Sequence, residues 1–106
     1  MSSNNERLDE LEYKIEKLHE LVVDPRRTHV NHVILDYNLS RHEVNKIFGL
    51  LDELSSRGGK IEVPEFESMI YDEISRLRGD NVFVNSLIRT LEEDGKYPDF
   101  FKNLQR

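Results

Sequence analysis

Five apolar residues recur along the N-terminal segment at alternating intervals of three and four positions: Leu8, Leu11, Ile15, Leu18 and Val22. Because an α-helix turns once every 3.6 residues, this spacing places all five side chains on one narrow stripe. The residues between them are mostly charged. Such a stripe needs a cover, which either another part of this chain or a second copy can provide. We expect this helix, over residues 5–23, to drive self-association.

Helix signals continue through the rest of the chain. Ser40 and Glu43 have the spacing of a capping box, Asn38 suits the left-handed end of a helix, and Pro64 fits a first helical turn. Apolar residues at helical spacing predict further helices at about 28–37, 40–54, 64–79, 81–94 and 98–103. The sequence therefore predicts one all-α domain over 1–106, a bundle of five or six short helices with a helical body at 28–104.

Composition excludes several classes of function. The chain contains no cysteine, so it has no disulfide framework, no thiol nucleophile and no Cys-based zinc site. A formal net charge of -6 argues against indiscriminate nucleic-acid binding, since affinity for polyphosphate comes mostly from Lys and Arg. The first residues lack a basic start and an apolar run, and no apolar stretch approaches the ~20 residues of a membrane span. We expect a cytoplasmic protein without a membrane partner.

The segment around Gly59 resembles the second half of an EF-hand calcium loop. Ile61 occupies the position of the paired hydrophobic residue, and Glu65-Phe66 that of the bidentate Glu with its following Phe. The first, third and fifth loop positions would be Leu54, Ser56 and Gly58. Calcium requires several oxygen ligands, and these three residues provide almost none. The pattern predicts a degenerate EF-hand-like helix–loop–helix that holds no metal.

A second motif resembles a helix-turn-helix, within residues 28–56. Its second helix would expose Arg41, His42, Asn45 and Lys46, which are residue types that contact phosphates and base edges. Residues 24–47 carry four basic and three acidic side chains, so the region is locally basic. Against this reading, Ile34 is bulky where close helix approach favours a small residue. A DNA-binding regulator is therefore the alternative function.

Enzymatic chemistry finds little support. His29, His32 and Asp36 could share one helix face, and two imidazoles with a carboxylate can bind zinc or iron. The chain has no His-Glu-x-x-His pattern, no Gly-x-Ser-x-Gly elbow and no phosphate-binding glycine loop with its Lys-Ser/Thr. We predict that the protein is not an enzyme and uses no cofactor.

A set of apolar and turn positions is distributed over most of the chain: Leu11–Ile15, Leu39-Ser40, Leu51–Leu54, Val63, Phe66 and Leu91–Tyr97. In these positions the chain resembles the YhaI-like proteins, small uncharacterised helical proteins of Gram-positive bacteria and their phages. The resemblance implies an all-helical, oligomeric bundle from a bacterium or prophage. The family has no known activity, so it assigns no functional residue.

Taken together, the patterns predict a non-enzymatic protein that self-associates and acts through protein–protein interaction. The expected oligomer is a homo-oligomer, and any further protein partner is not identified by the sequence. A role in bacterial or phage regulation is the expected setting.

Overall fold

The computed structural model describes residues 2–24 and 28–106, which form a small helical bundle and confirm the predicted all-α class. The elements are α1 (Ser2–Val23), α2 (Val30–Asp36), α3 (Arg41–Arg57), β1 (Ile61–Glu62), α4 (Val63–Glu73), α5 (Asn81–Glu93), α6 (Pro98–Asn103) and β2 (Leu104–Gln105). The strands pair in parallel, with Ile61 beside Leu104. Within the described ranges, no helix combines the length and apolar character that a membrane span requires.

The core lies between α2, α3, α4, α5 and α6. Its fully buried side chains include Phe66, Phe83, Ile34, Leu39, Ile47, Leu51, Ile70, Leu87, Leu91 and Val84. Aromatic rings join neighbouring helices, with ring centroids 4.9 Å apart for Tyr37 and Phe83 and 5.0 Å apart for Phe66 and Phe100. Helix α5 packs against both α2 and α4. Its apolar residues recur at helical spacing, so one face of α5 is enclosed by the other helices.

Helix α3 begins with the predicted capping box. The Ser40 hydroxyl accepts the backbone N–H of Glu43 at 3.1 Å, and the Glu43 carboxylate accepts the backbone N–H of Ser40 at 2.9 Å. Arg76 donates two further bonds of 2.8 Å to the same carboxylate. These bonds from Arg76 are the main reason that the pKa of Glu43 is lowered. Asn38 adopts the predicted left-handed conformation, with φ of 50°.

A residue distant in sequence caps helix α2. Asp94, which follows α5, accepts the backbone N–H groups of His29 at 2.6 Å and Val30 at 2.9 Å. The His29 ring nitrogen Nδ1 lies 2.9 Å from the same carboxylate, whose side chain is fully buried. The first turn of α2 is therefore satisfied by a tertiary contact. The predicted start of this helix at residue 28 was two residues early.

Two predicted helix ends differ from the structure. Helix α3 continues through Ser55 to Arg57 and ends at Gly58 and Gly59, whose φ angles are +70° and +85°. The helix predicted to reach residue 79 ends earlier, because Ile74 leaves the helical conformation, with φ of −129° and ψ of 78°, and a 3₁₀ turn follows over Ser75–Leu77. Ile74 is nevertheless buried in the core. The break also places Arg76 beside Glu43 of α3.

Candidate functional site

The predicted apolar stripe of α1 faces solvent. We call the side chains of Leu8, Leu11, Ile15, Leu18 and Val22 the α1 stripe. Their exposed fractions range from 53% to 81%, and the neighbouring Val23 is 68% exposed. Side chains of this size, each more than half exposed, present on the order of 600 Å² of apolar surface, near the upper end for the largest patch on a monomer. Patches of that size commonly mark interaction sites.

The opposite, polar side of α1 contacts the rest of the protein. Tyr13 of α1 enters the core, where it is 6% exposed. The Lys14 ammonium donates a 2.6 Å hydrogen bond to the carbonyl oxygen of Leu39. The Asn31 amide of α2 donates to the carbonyl oxygen of Lys17 at 3.1 Å. Helix α1 is therefore held by one aromatic side chain and several polar contacts, with its stripe pointing away.

Three cations surround the Tyr13 ring. The Lys14 and Lys17 ammonium nitrogens lie 5.7 Å and 5.1 Å from its centroid, and the guanidinium carbon of Arg41 lies 5.1 Å from it. Contacts of this kind are attractive because the face of an aromatic ring is electronegative. Burial raises the pKa of Tyr13 to about 12, so its hydroxyl stays protonated at neutral pH. The cluster joins the middle of α1 to the start of α3.

Glu10 and Lys14 are four residues apart, a spacing that predicts an ion pair on the exposed side of the first helix. The two side chains do form an ion pair of 3.6 Å. Its position differs from the prediction, since Lys14 is turned toward the bundle and only 18% of its side chain is exposed. Each partner also bonds to the bundle: Lys14 donates to the carbonyl oxygen of Leu39, and Glu10 accepts the backbone N–H of Arg41 at 3.3 Å.

The predicted nucleic-acid contacts lie at the start of α3. Arg41, His42 and Asn45 are exposed, whereas Lys46 is partly buried. The groove beside them is lined by Glu6, Asp9, Glu10, Glu12, Arg41, His42 and Asn45. The four carboxylates of α1 in this groove repel a phosphate backbone. Residues 26 and 27, part of the predicted basic patch, lie outside the described residues.

Arg41 already has partners within the chain. Its guanidinium lies over the Tyr13 ring and 4.0 Å from a carboxylate oxygen of Glu16. Helix α2 packs mainly against α1 and α5, rather than against α3 as the helix-turn-helix reading requires. These contacts make the start of α3 a poor match to a DNA-reading helix.

The metal-related motifs do not assemble a ligand set. Glu65 is exposed in the first turn of α4, and β1 of the EF-hand-like segment pairs with β2 at the C-terminal end. His29 precedes α2 and binds Asp94, whereas His32 and Asp36 are exposed on α2. Across residues 2–24 and 28–106, no three His, Cys, Asp or Glu side chains are grouped so that they could hold a metal ion.

Tyr13 and Asp94 are important contacts that the sequence interpretation missed. Tyr13 could have been found, because it is an aromatic residue on the charged side of an amphipathic helix. Asp94 carries no comparable signal, since it lies in an acidic run and its partners are 64 and 65 residues away. Comparisons with family models, curated proteins and solved structures give no match to this chain.

Proposed function

We propose that this chain is a non-enzymatic, self-associating protein whose α1 stripe binds the α1 stripe of a second copy. One observation carries the proposal: an apolar stripe with heptad spacing is exposed on a helix whose polar side is docked on the bundle. Heptad spacing is the pattern by which helices pair with other helices along a narrow seam. A second copy supplies the same spacing and length, so it fits this stripe along its whole extent.

The available area fits a dimer. If two copies each cover a stripe of on the order of 600 Å², the interface buries about 1,200 Å², the lower end for specific stable interfaces. Such a contact is isologous, meaning that the same patch is used on both copies, as in most homodimers.

Helix α1 is also prepared for pairing. An isolated helix of two heptads is barely stable in water, because forming its first turns is costly. Here α1 is already held in helical form by Tyr13, Lys14 and the bonds from Asn31. Pairing therefore orders little additional backbone, which lowers the free-energy cost of association.

The wider setting of this role rests on the resemblance to the YhaI-like proteins. We expect the protein to act in the cytoplasm, through protein–protein interaction in bacterial or phage regulation. In that setting the dimer presents its helical bodies to further protein partners, and specificity comes from charged residues around apolar anchors.

The experiment is a measurement of molar mass by light scattering across a wide range of protein concentrations. Leu11→Asp with Ile15→Asp places two charges in the stripe at exposed positions, so the bundle should stay folded. At high concentration the native chain should have the mass of a dimer. The double variant should have the mass of one chain, 12.6 kDa. Circular dichroism confirms that the variant is folded.

The matched control is Val82→Asp, because Val82 is an exposed apolar residue (61%) on α5, outside the stripe. This control should keep the mass of the native chain. A native chain that remains a monomer at millimolar concentration contradicts the proposal, as does a double variant that dimerises as well as the native chain.

DNA binding through α3 is the alternative, favoured by the exposure of Arg41, His42 and Asn45 on one side of that helix. A mobility-shift assay at several salt concentrations tests it. A DNA-binding protein loses affinity steeply as salt rises, and loses it again when Arg41 and Lys46 become Ala. The carboxylates of α1 in the same groove lead us to expect no shift.

A further inference from the structure

The residues of the α1 stripe follow a regular order within the heptad. Leu8, Ile15 and Val22 occupy the a positions, and Leu11 and Leu18 occupy the d positions. Two of the three a residues are β-branched and both d residues are Leu. In parallel coiled coils this combination favours two strands, since β-branched side chains pack well at a and Leu packs well at d.

Register also distinguishes the two orientations. In a parallel pair without offset, each stripe residue meets its own copy, so all five residues form layers. In an antiparallel pair that places Leu11 opposite Ile15, Val22 lies opposite residue 4, which is Asn. Shifting that pair by one heptad places Leu11 opposite Val22 and leaves Leu8 without an apolar partner. The parallel register therefore covers the most apolar surface.

The charges beside the stripe favour the same orientation. In a parallel pair, the residue at g lies beside the residue at e five positions further along the other helix. Arg7 of each copy then faces Glu12 of the other, and both residues are exposed. The antiparallel register centred between Leu11 and Ile15 instead brings Glu12 close to its own copy, where like charges repel.

The contacts that hold α1 on the bundle come from positions off the a and d seam. Tyr13 and Lys17, which contact the rest of the chain, occupy the f and c positions on the far side of α1 from the stripe. Lys14, at a g position, is turned toward the bundle by its bond to Leu39. The bundle therefore lies on the c, f and g side of α1, where Leu8 and Leu11 line a groove together with Asn38 and Ser40, and the a and d side chains remain exposed.

We propose that two copies of this chain pair through α1 as a parallel, in-register, two-stranded coiled coil. This inference rests on the proposed self-association and adds its orientation and register. In the resulting dimer the two bodies flank the seam at the same level, related by a twofold axis along it, so their surfaces at the same end of that axis face the same way. The dimer is thereby suited to binding two identical sites on one partner.

The natural chain has no cysteine, so single introduced cysteines report this geometry directly. The variants are Leu8→Cys and Val22→Cys, at the two ends of the stripe, with Val82→Cys as the exposed control outside it. A disulfide requires the two Cα atoms to lie within about 7 Å. In a parallel, in-register pair each stripe cysteine meets its own copy at such a distance. In either antiparallel register the two copies of each are at least about 15 Å apart, at 1.5 Å per residue.

The expected result under mild oxidation is a covalent dimer of each stripe variant, formed at least tenfold faster than that of the control. Mixtures of Leu8→Cys with Leu18→Cys, and of Leu11→Cys with Val22→Cys, report the two antiparallel registers. If a mixture cross-links while Leu8→Cys and Val22→Cys alone do not, the parallel inference is wrong, although self-association stands. If light scattering finds no dimer of the native chain, the proposed function itself is wrong.

Discussion

Helices α1 and α5 have the same apolar period and opposite surroundings. In α5, Val84, Leu87 and Leu91 are completely enclosed by neighbouring helices. In α1, Leu11 and Ile15 recur with equal regularity and are more than half exposed. The spacing of apolar residues along a helix indicates which residues share a face, but it does not indicate what packs against that face. Where the chain supplies no cover, the same pattern describes an interface instead of a core.

The two helices also differ in how they are attached. Helix α5 is held by apolar burial on one face, whereas α1 depends on Tyr13, its surrounding cations and hydrogen bonds such as that from Lys14 to Leu39. A typical hydrogen bond contributes only about 0.5–1.5 kcal/mol net to stability, since water competes for the same groups. We therefore expect α1 to open at a lower free energy than the rest of the bundle.

The largest expected effect contrasts equivalent substitutions in the two regions. Leu51→Ala removes a fully buried side chain and should lower the free energy of unfolding by about 2–5 kcal/mol. Leu11→Ala changes a mostly exposed side chain and should alter it by less than about 0.5 kcal/mol. Urea unfolding at low micromolar concentration measures both while limiting the contribution of dimerisation. Equal losses would mean that the chain itself covers the stripe.

The next effect tests a contact within the body. Asp94→Ala leaves the backbone N–H groups of His29 and Val30 without their acceptor and should cost about 2–3 kcal/mol of unfolding free energy. Glu93→Ala, at the exposed neighbouring carboxylate, is the matched control and should cost less than about 0.5 kcal/mol. Thermal or urea unfolding compares the two. A small loss for Asp94→Ala would show that α2 is held mainly by its apolar residues.

A smaller effect concerns the docking of α1 alone. Tyr13→Ala removes the buried anchor, so amide protons of α1 should exchange about 10-fold faster, equivalent to about 1.4 kcal/mol of local opening free energy. Amide protons of α5 should keep their protection. Glu12→Ala changes an exposed neighbour of Tyr13 and serves as the control. Equal acceleration in α1 and α5 would contradict a separately attached helix.

The smallest effect depends on pH. The hydrogen bonds from Arg76 lower the pKa of Glu43 in the folded protein. Because the pKa of Glu43 is lower in the folded state than in the unfolded state, its ionised carboxylate stabilises the protein at pH values above the unfolded-state pKa near 4.5. This contribution is lost as the pH falls through the folded-state pKa. Because Arg76 is about half exposed, water screens the interaction, and we expect a contribution below about 1 kcal/mol.

Glu43→Gln should remove this contribution, so its unfolding free energy should fall less than that of the native chain between pH 5 and pH 3. Glu53→Gln, at an exposed carboxylate of the same helix, is the control. Urea unfolding at both pH values measures the difference. Identical pH profiles for the native chain and Glu43→Gln would show that the Arg76 contact adds nothing to stability.

Several features were predictable from the amino-acid order because they depend on neighbours a few residues apart. The capping box of Ser40 and Glu43, the left-handed Asn38 and the stripe of α1 are of this kind. Each rests on backbone geometry or on helical period, and both act within one or two turns.

Other features were decided by tertiary structure. The helix ends before Ile74 although the apolar spacing continues, and the 3₁₀ turn that follows keeps Ile74 and Leu77 in the core while it brings Arg76 beside Glu43. The cap on α2 comes from Asp94, which only folding brings beside His29. The outward stripe likewise arises because Tyr13 and its cations dock the other side of α1. Local spacing defines the faces of a helix, and contacts between distant segments decide which face is buried.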